Sequence, residues 1–131
     1  PLQRCKQLAE ALSKLRPALE PQTDTRLREM DFGTWEGVAW DAIPLAAMQA
    51  WTDDFGAHRF GGVESANEVL ARVAELWDAA LQQPDENQVW ITHAGVARAA
   101  FLISQGSRTV ENASQWPKDA PGYGQWWCVD G

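Results

Sequence analysis

Histidine, cysteine, methionine and tyrosine are scarce in this 131-residue chain: two, two, two and one. The two cysteines, Cys5 and Cys128, exclude a disulfide framework and match no zinc spacing. As free thiols near opposite ends of the sequence they are expected to be small buried residues. Basic residues are also few, 11 Lys+Arg against 18 Asp+Glu, for a net charge of −7. Without a Lys/Arg run, that balance excludes nucleic acid as the main partner. No apolar run reaches the ~18–20 residues that a membrane-crossing helix needs. There is no P-loop, no G-x-G-x-x-G and no metal-ligand cluster, so neither a metal nor another cofactor is expected. Nor is there a signal-peptide pattern or an initiator Met; the chain opens Pro1-Leu2-Gln3-Arg4, and its true start is expected to lie upstream.

What is present suits one folded domain over residues 1–131. Apolar residues make up 45% and charged residues 22%, enough to bury a core at this length. Eight tryptophans supply large apolar area for a core or an interface.

Apolar residues at Leu2, Cys5, Leu8, Ala9, Leu12 and Leu15 recur every three or four positions, so a helix is expected, stopped by Pro17. A short extended piece follows near Thr25–Leu27. The run from Leu27 to Gly37 fits neither a helical nor a strand period and reads as an ordered loop. Trp40 to Phe55 is moderately helical, and Gly56 to Val63 is loop. Ser65-Ala66-Asn67-Glu68 is a capping box that opens the clearest helix, with Val69, Leu70, Val73, Leu76, Trp77, Ala80 and Leu81 as its stripe. Gln88 to Thr92 is β-rich and reads as a strand; His93-Ala94-Gly95 turns at once into a helix from Val96 to Ser104, ending at Gly106. Strand, turn, helix is a βα unit of a parallel sheet. Gly124–Val129 reads as a last strand.

Three residues stand out chemically. His93 lies where a strand end meets a helix start, the place where open α/β sheets bind ligands and where free N–H groups favour an anion. Its structural alternative is a residue that merely caps the turn. Arg4, in the first turn of the first helix, is either a solvated side chain or a bidentate phosphate clamp. Glu29, flanked by Arg28 and Met30 in the irregular loop, is either a proton donor or a loop acid that binds nearby backbone N–H groups. Asp31 and Glu36 read as structural, Trp35 and Trp40 as core, Ser65 as a helix cap and His58 as a surface residue.

Four stretches in order resemble the histidine phosphatase superfamily, with its phosphoglycerate-mutase-like fold. Pro1-Leu2-Gln3-Arg4 resembles the family's Ser-Pro-Leu-x-Arg. Leu27 to Gly37 resembles its L-x-E-x-x-F-G-x-W-E-G loop. Gly62-Val63-Glu64-Ser65, with Val69 and Arg72, resembles its G-E-S helix start, with a Val inserted between Gly and Glu. Thr92-His93-Ala94-Gly95 resembles its T-H-G-G segment, with Ala for the first Gly. The run from Trp35 through Trp51 to Gly62 is most similar to bacterial α-ribazole phosphatases of cobalamin synthesis.

The resemblance implies an α/β fold: a mostly parallel sheet flanked by helices on both faces, here lacking its N-terminal strand. It implies metal-independent, cytoplasmic phosphomonoester hydrolysis through a phosphohistidine. Arg4 and His93 would bind phosphate, Glu29 and His93 would act in catalysis, and a small phosphorylated metabolite would be the substrate. The family's signature Arg-His-Gly, which carries the nucleophile, occurs nowhere in this sequence. The chain by itself is therefore expected to be inactive, and to complete its sheet with a second copy, an exchanged strand or the absent segment. A non-catalytic phosphate-binding module and a phosphoglycerate mutase are the alternatives.

Overall fold

Helices form where apolar spacing and caps dictate. The computed structural model describes residues 3–131, so Pro1 and Leu2 of the first motif lie outside the described residues. Four α-helices follow in order: α1 (Gln3–Leu15), α2 (Leu45–Asp53), α3 (Ala66–Leu81) and α4 (Ala94–Ser104). Short 3-10 turns stand between them at Thr25–Leu27, Gly33–Trp35 and Trp40–Ala42, and another follows at Ala113–Gln115.

At the start of α3, the Ser65 hydroxyl accepts a hydrogen bond from the Glu68 N–H at 3.2 Å. Only half of the expected capping box forms, because the Glu68 carboxylate is taken by Arg59 at 2.6 Å. At the end of α4, Gly106 adopts φ +87°. That left-handed conformation lets Ser107 and Gly106 donate back to Leu102 and Ile103, both at 2.9 Å.

The core lies between α3 and α4. Val69, Leu70, Val73, Ala74 and Trp77 pack against Val96, Ala99, Ala100, Leu102 and Ile103, with Met30, Phe55 and Val110 closing the sides. Leu81, expected on the buried stripe, is half exposed at the end of α3. A second, aromatic cluster surrounds Phe60, which Trp51 stacks on at 4.3 Å; Trp35, Trp40 and Phe32 complete it. Trp77 belongs elsewhere and meets Trp90 edge-on. Cys5 is buried as expected, whereas Cys128 is exposed.

The expected sheet is not formed. Among the described residues there is no β-strand, so an α/β architecture with a mostly parallel sheet is corrected to an all-helical arrangement. Thr25–Leu27 is a 3-10 turn, not an extended piece, because Asp24 caps it through the Arg26 N–H and grips the Arg26 guanidinium. Gln88 to Thr92 leads straight into α4, yet residues 87–92 make no backbone–backbone hydrogen bond among the described residues. In the Gly124–Val129 segment one backbone–backbone hydrogen bond forms among the described residues, the turn bond from the Gln125 N–H to the Gly122 carbonyl at 3.0 Å, and Trp126 is 80% exposed. A strand is stable only when a neighbour takes up its N–H and C=O groups, and these two segments do not supply each other.

α1 and α2 are the lightly held helices; α2 has no buried residue, and α1 has one. Of the residues of α1 only Cys5 is buried, and Leu15 is 77% exposed.

Stability should therefore reside in the α3–α4 contact. Leu70→Ala removes a fully buried side chain and should lower unfolding free energy by about 2–5 kcal/mol in urea titrations. Leu81→Ala should cost less than about 1 kcal/mol. Equal losses at the two positions would contradict this placement of the core.

Candidate active site

The site is built around the first turn of α4. His93 is its N-cap residue, with extended backbone (φ −124°, ψ 164°), and its side chain does not cap the helix. The imidazole is buried and instead faces α1. There the Arg4 guanidinium meets His93 Nδ1 at 3.0 Å, and Cys5 Sγ lies 3.5 Å from Nε2. Arg has donors only, so Nδ1 is the acceptor. The ring is thus neutral, with its proton on Nε2 toward the Cys5 sulfur. Burial holds the His93 pKa below 6.5; Arg4 and Arg72 act in the same direction, while the Glu29 carboxylate opposes them.

Glu29 reaches the same turn from the other side. Its Oε2 accepts from the Gly95 N–H at 3.1 Å, and its Oε1 from the Met30 N–H at 3.0 Å. The free N–H of a helix N-terminus suits a carboxylate. Gly95 leaves room for this contact: a Cβ there would run into the Glu29 carboxyl and force that side chain to shift.

A largely desolvated ion pair holds the Glu29 loop in place. Arg72, on α3, donates to Glu64 Oε1 at 2.7 Å and to the Arg26 carbonyl at 2.6 Å. Glu64 Oε2 accepts from the Asp31 N–H at 2.8 Å. The Thr92 hydroxyl ties the approach to α4 onto the Leu27 carbonyl at 2.6 Å. The loop is thereby fastened at residues 26, 27 and 31, with Glu29 between them.

The remaining residues singled out from sequence are structural here. Asp31 accepts from the Gly33 N–H and Glu36 from the Phe32 N–H. Ser65 caps α3 and Trp35 and Trp40 stack on Phe60, but Trp40, expected in the core, is 57% exposed and borders the cavity described below, and His58, expected at the surface, is half-buried and not part of the His93 cluster. Among the described residues, no three His, Cys, Asp or Glu side chains gather to hold a metal ion. No helix of the described residues is long and apolar enough to cross a membrane.

A cavity of about 370 Å³ adjoins Glu29 and Gly95. Arg4 and His93 are not among its walls; Glu29 is, and it accepts from the Gly95 N–H two residues after His93. Arg98, Lys118, Trp51 and Trp116 line it, and sequence reasoning missed all four as ligand contacts. A signal existed for one: Arg98 is the only charged residue of α4. Cys5 was also missed as a neighbour of His93.

Comparison with known proteins agrees with these motifs. A family model described as "Histidine phosphatase superfamily (branch 1)" matches residues 1–117. The chain belongs to the histidine phosphatase superfamily. It is 37% identical over 97 residues to the glucosyl-3-phosphoglycerate phosphatases of two Mycobacterium tuberculosis strains, CDC 1551 / Oshkosh and ATCC 25618 / H37Rv. The match takes in 64% of this chain and 43% of each relative, so the chain spans less than half the length of those proteins. No solved structure gives a significant match.

The buried neutral imidazole should leave a mark on stability. Its folded pKa is lowered, so the unfolded chain binds more protons as pH falls below about 6.5. The His93 contribution is complete above that value and is lost as pH drops toward the folded pKa and past it. Urea midpoints at pH about 7.5 and about 5.5 should differ less in His93→Gln than in the parent. An unchanged difference would contradict the assignment.

Proposed function

We propose that this chain forms the phosphate-binding and proton-donating part of a phosphomonoesterase site. The observation that carries the reading is the contact of Arg4 with His93, beside the helix start that Glu29 reaches. Arg4 and His93 are the phosphate ligands. A phosphoryl dianion between them replaces their mutual hydrogen bond, takes the guanidinium as a charge-assisted partner, and favours a proton on Nδ1. Phosphoryl transfer is mostly positioning plus stabilisation of the equatorial oxygens, and these two groups supply both.

Glu29 is the acid for the leaving alcohol. It lines the cavity and accepts from the Gly95 N–H, two residues after His93. Each of its oxygens keeps a lone pair beyond its backbone N–H bond. The nucleophile of a phosphohistidine route is a further histidine. His93 and His58 are the two histidines of the sequence, and neither stands in an Arg-His-Gly.

Family membership and the phosphatase relatives support hydrolysis of a phosphomonoester. The narrower reading, α-ribazole phosphate, rests on the Trp35, Trp51 and Gly62 run. One observation favours a second reading, oxyanion binding without turnover: a single histidine stands in the site.

Calorimetry with inorganic phosphate tests the proposal. The chain should bind phosphate, and Arg4→Ala should weaken binding about ten- to a hundredfold, the worth of a hydrogen bond to a charged group. It should not hydrolyse p-nitrophenyl phosphate. Equal affinity in Arg4→Ala would overturn the phosphate role, and turnover by the chain would overturn the reading of the nucleophile.

A further inference from the structure

Arg4 and Cys5, neighbours in the first turn of α1, hold the His93 ring by its two nitrogens. The Arg4 guanidinium meets Nδ1 at 3.0 Å, and Cys5 Sγ lies 3.5 Å from Nε2. Consecutive helix residues point about 100° apart, so such a pair can straddle a flat ring. The thiol has a direction of its own. Its S–H donates to the Thr92 carbonyl at 3.8 Å, which leaves a sulfur lone pair for the Nε2–H. Thr92 is in turn tied down by the bond from its hydroxyl to the Leu27 carbonyl. Cys5 is the one buried residue of α1, yet it is not part of the apolar core between α3 and α4. It is buried against the ring and the Thr92 carbonyl instead.

We propose that Cys5 is a positioning residue for His93: by keeping a proton on Nε2, it makes the ring take up a second proton, at Nδ1, when an oxyanion binds. The inference rests on the phosphomonoesterase reading and adds a proton-linked binding step to it.

In the free site Nδ1 accepts from Arg4, and Nε2 carries the one proton of the ring. An oxyanion that displaces the Arg4 contact brings acceptor oxygens to Nδ1, so Nδ1 must become a donor. The ring has two ways to comply. It can move its proton from Nε2 to Nδ1, or it can keep the Nε2–H and take a proton from solvent. The first leaves a bare, buried Nε2, unless the thiol turns away from the Thr92 carbonyl to face it. The second keeps both sulfur contacts and sets an imidazolium against the anion, a charge-assisted bond. Three charged groups besides the oxyanion act on the ring. The Glu29 carboxylate, on the loop, favours the imidazolium; Arg4 of α1 and Arg72 of α3 oppose it. A bound dianion adds negative charge and tips that balance toward the protonated ring.

Nitrogen-15 NMR of the imidazole tests this with inorganic phosphate as the probe and His58, outside the cluster, as the reference signal. At pH about 7.5, above the ordinary histidine value, free His93 should show one bare ring nitrogen and a proton on Nε2. With phosphate bound, both nitrogens should be protonated. In Cys5→Ala the bound ring should carry one proton, on Nδ1, and phosphate should bind about tenfold weaker, the worth of a hydrogen bond to a charged group. Cys5→Ser, whose hydroxyl can accept and donate at once, should restore the doubly protonated ring. A side chain that merely fills space would change affinity without changing the proton count. Should Cys5→Ala not fold, Cys5→Val, which also lacks an acceptor, gives the same readout. A bound ring with one proton in the parent overturns the proposal, and so does a doubly protonated bound ring in the Ala or Val variant; both results leave the oxyanion site standing. No binding of inorganic phosphate overturns both readings together.

Discussion

The pairing of Glu64 with Arg72 is the constraint on which the site depends. Glu64 is buried and the Arg72 side chain is 14% exposed, and such a largely desolvated ion pair is tolerated when its remaining hydrogen-bonding groups are also satisfied. Here they are: the second Glu64 oxygen takes the Asp31 N–H, and the guanidinium reaches the Arg26 carbonyl. The irregular stretch around Glu29 is in this way pinned at Arg26 to Arg72 of α3 and at Asp31 to Glu64, just before that helix. Glu29 sits between the pins, which is why a carboxyl on a loop can meet one particular amide of α4.

The same economy governs His93. It is fixed by what it faces. Arg4 can only donate, so one ring nitrogen must accept, and the other turns its proton toward Cys5. Burial then keeps the ring neutral. The arrangement is poised: an anion that displaces the Arg4 contact changes the protonation the ring prefers. The weak hold on α1, through Cys5 and Arg4, leaves that side of the site the easier one to shift.

Local signals in the sequence were read well where they act locally. The period of α3, the Ser65 cap, the Gly106 stop and the bonds of Asp31 and Glu36 all follow from neighbours a few residues away. Arg4, Glu29 and His93 were singled out through motif resemblance, and the structure places Arg4 against His93 and Glu29 against Gly95. The sheet was misread because strand propensity in Gln88–Thr92 and Gly124–Val129 is only half of a strand; the other half is a partner with free backbone groups. Trp51, Arg98 and Lys118 were illegible as cavity walls because 47 and 20 residues of chain separate them, and only packing brings them together. Glu68 shows the same competition in miniature, since a tertiary partner, Arg59, took the side chain that the capping box had claimed.

Amide exchange measured residue by residue tests the central claim most directly. In Glu64→Gln the pin at Asp31 is weakened and the guanidinium loses its counter-charge. The account predicts that Asp31 and Gly95 both lose protection beyond the loss shared by the core amides of Val73 and Ala99, because the loop that carries Glu29 swings free. Loss of protection at Asp31 with Gly95 unchanged would contradict it, since Glu29 would then hold its place without the ion pair.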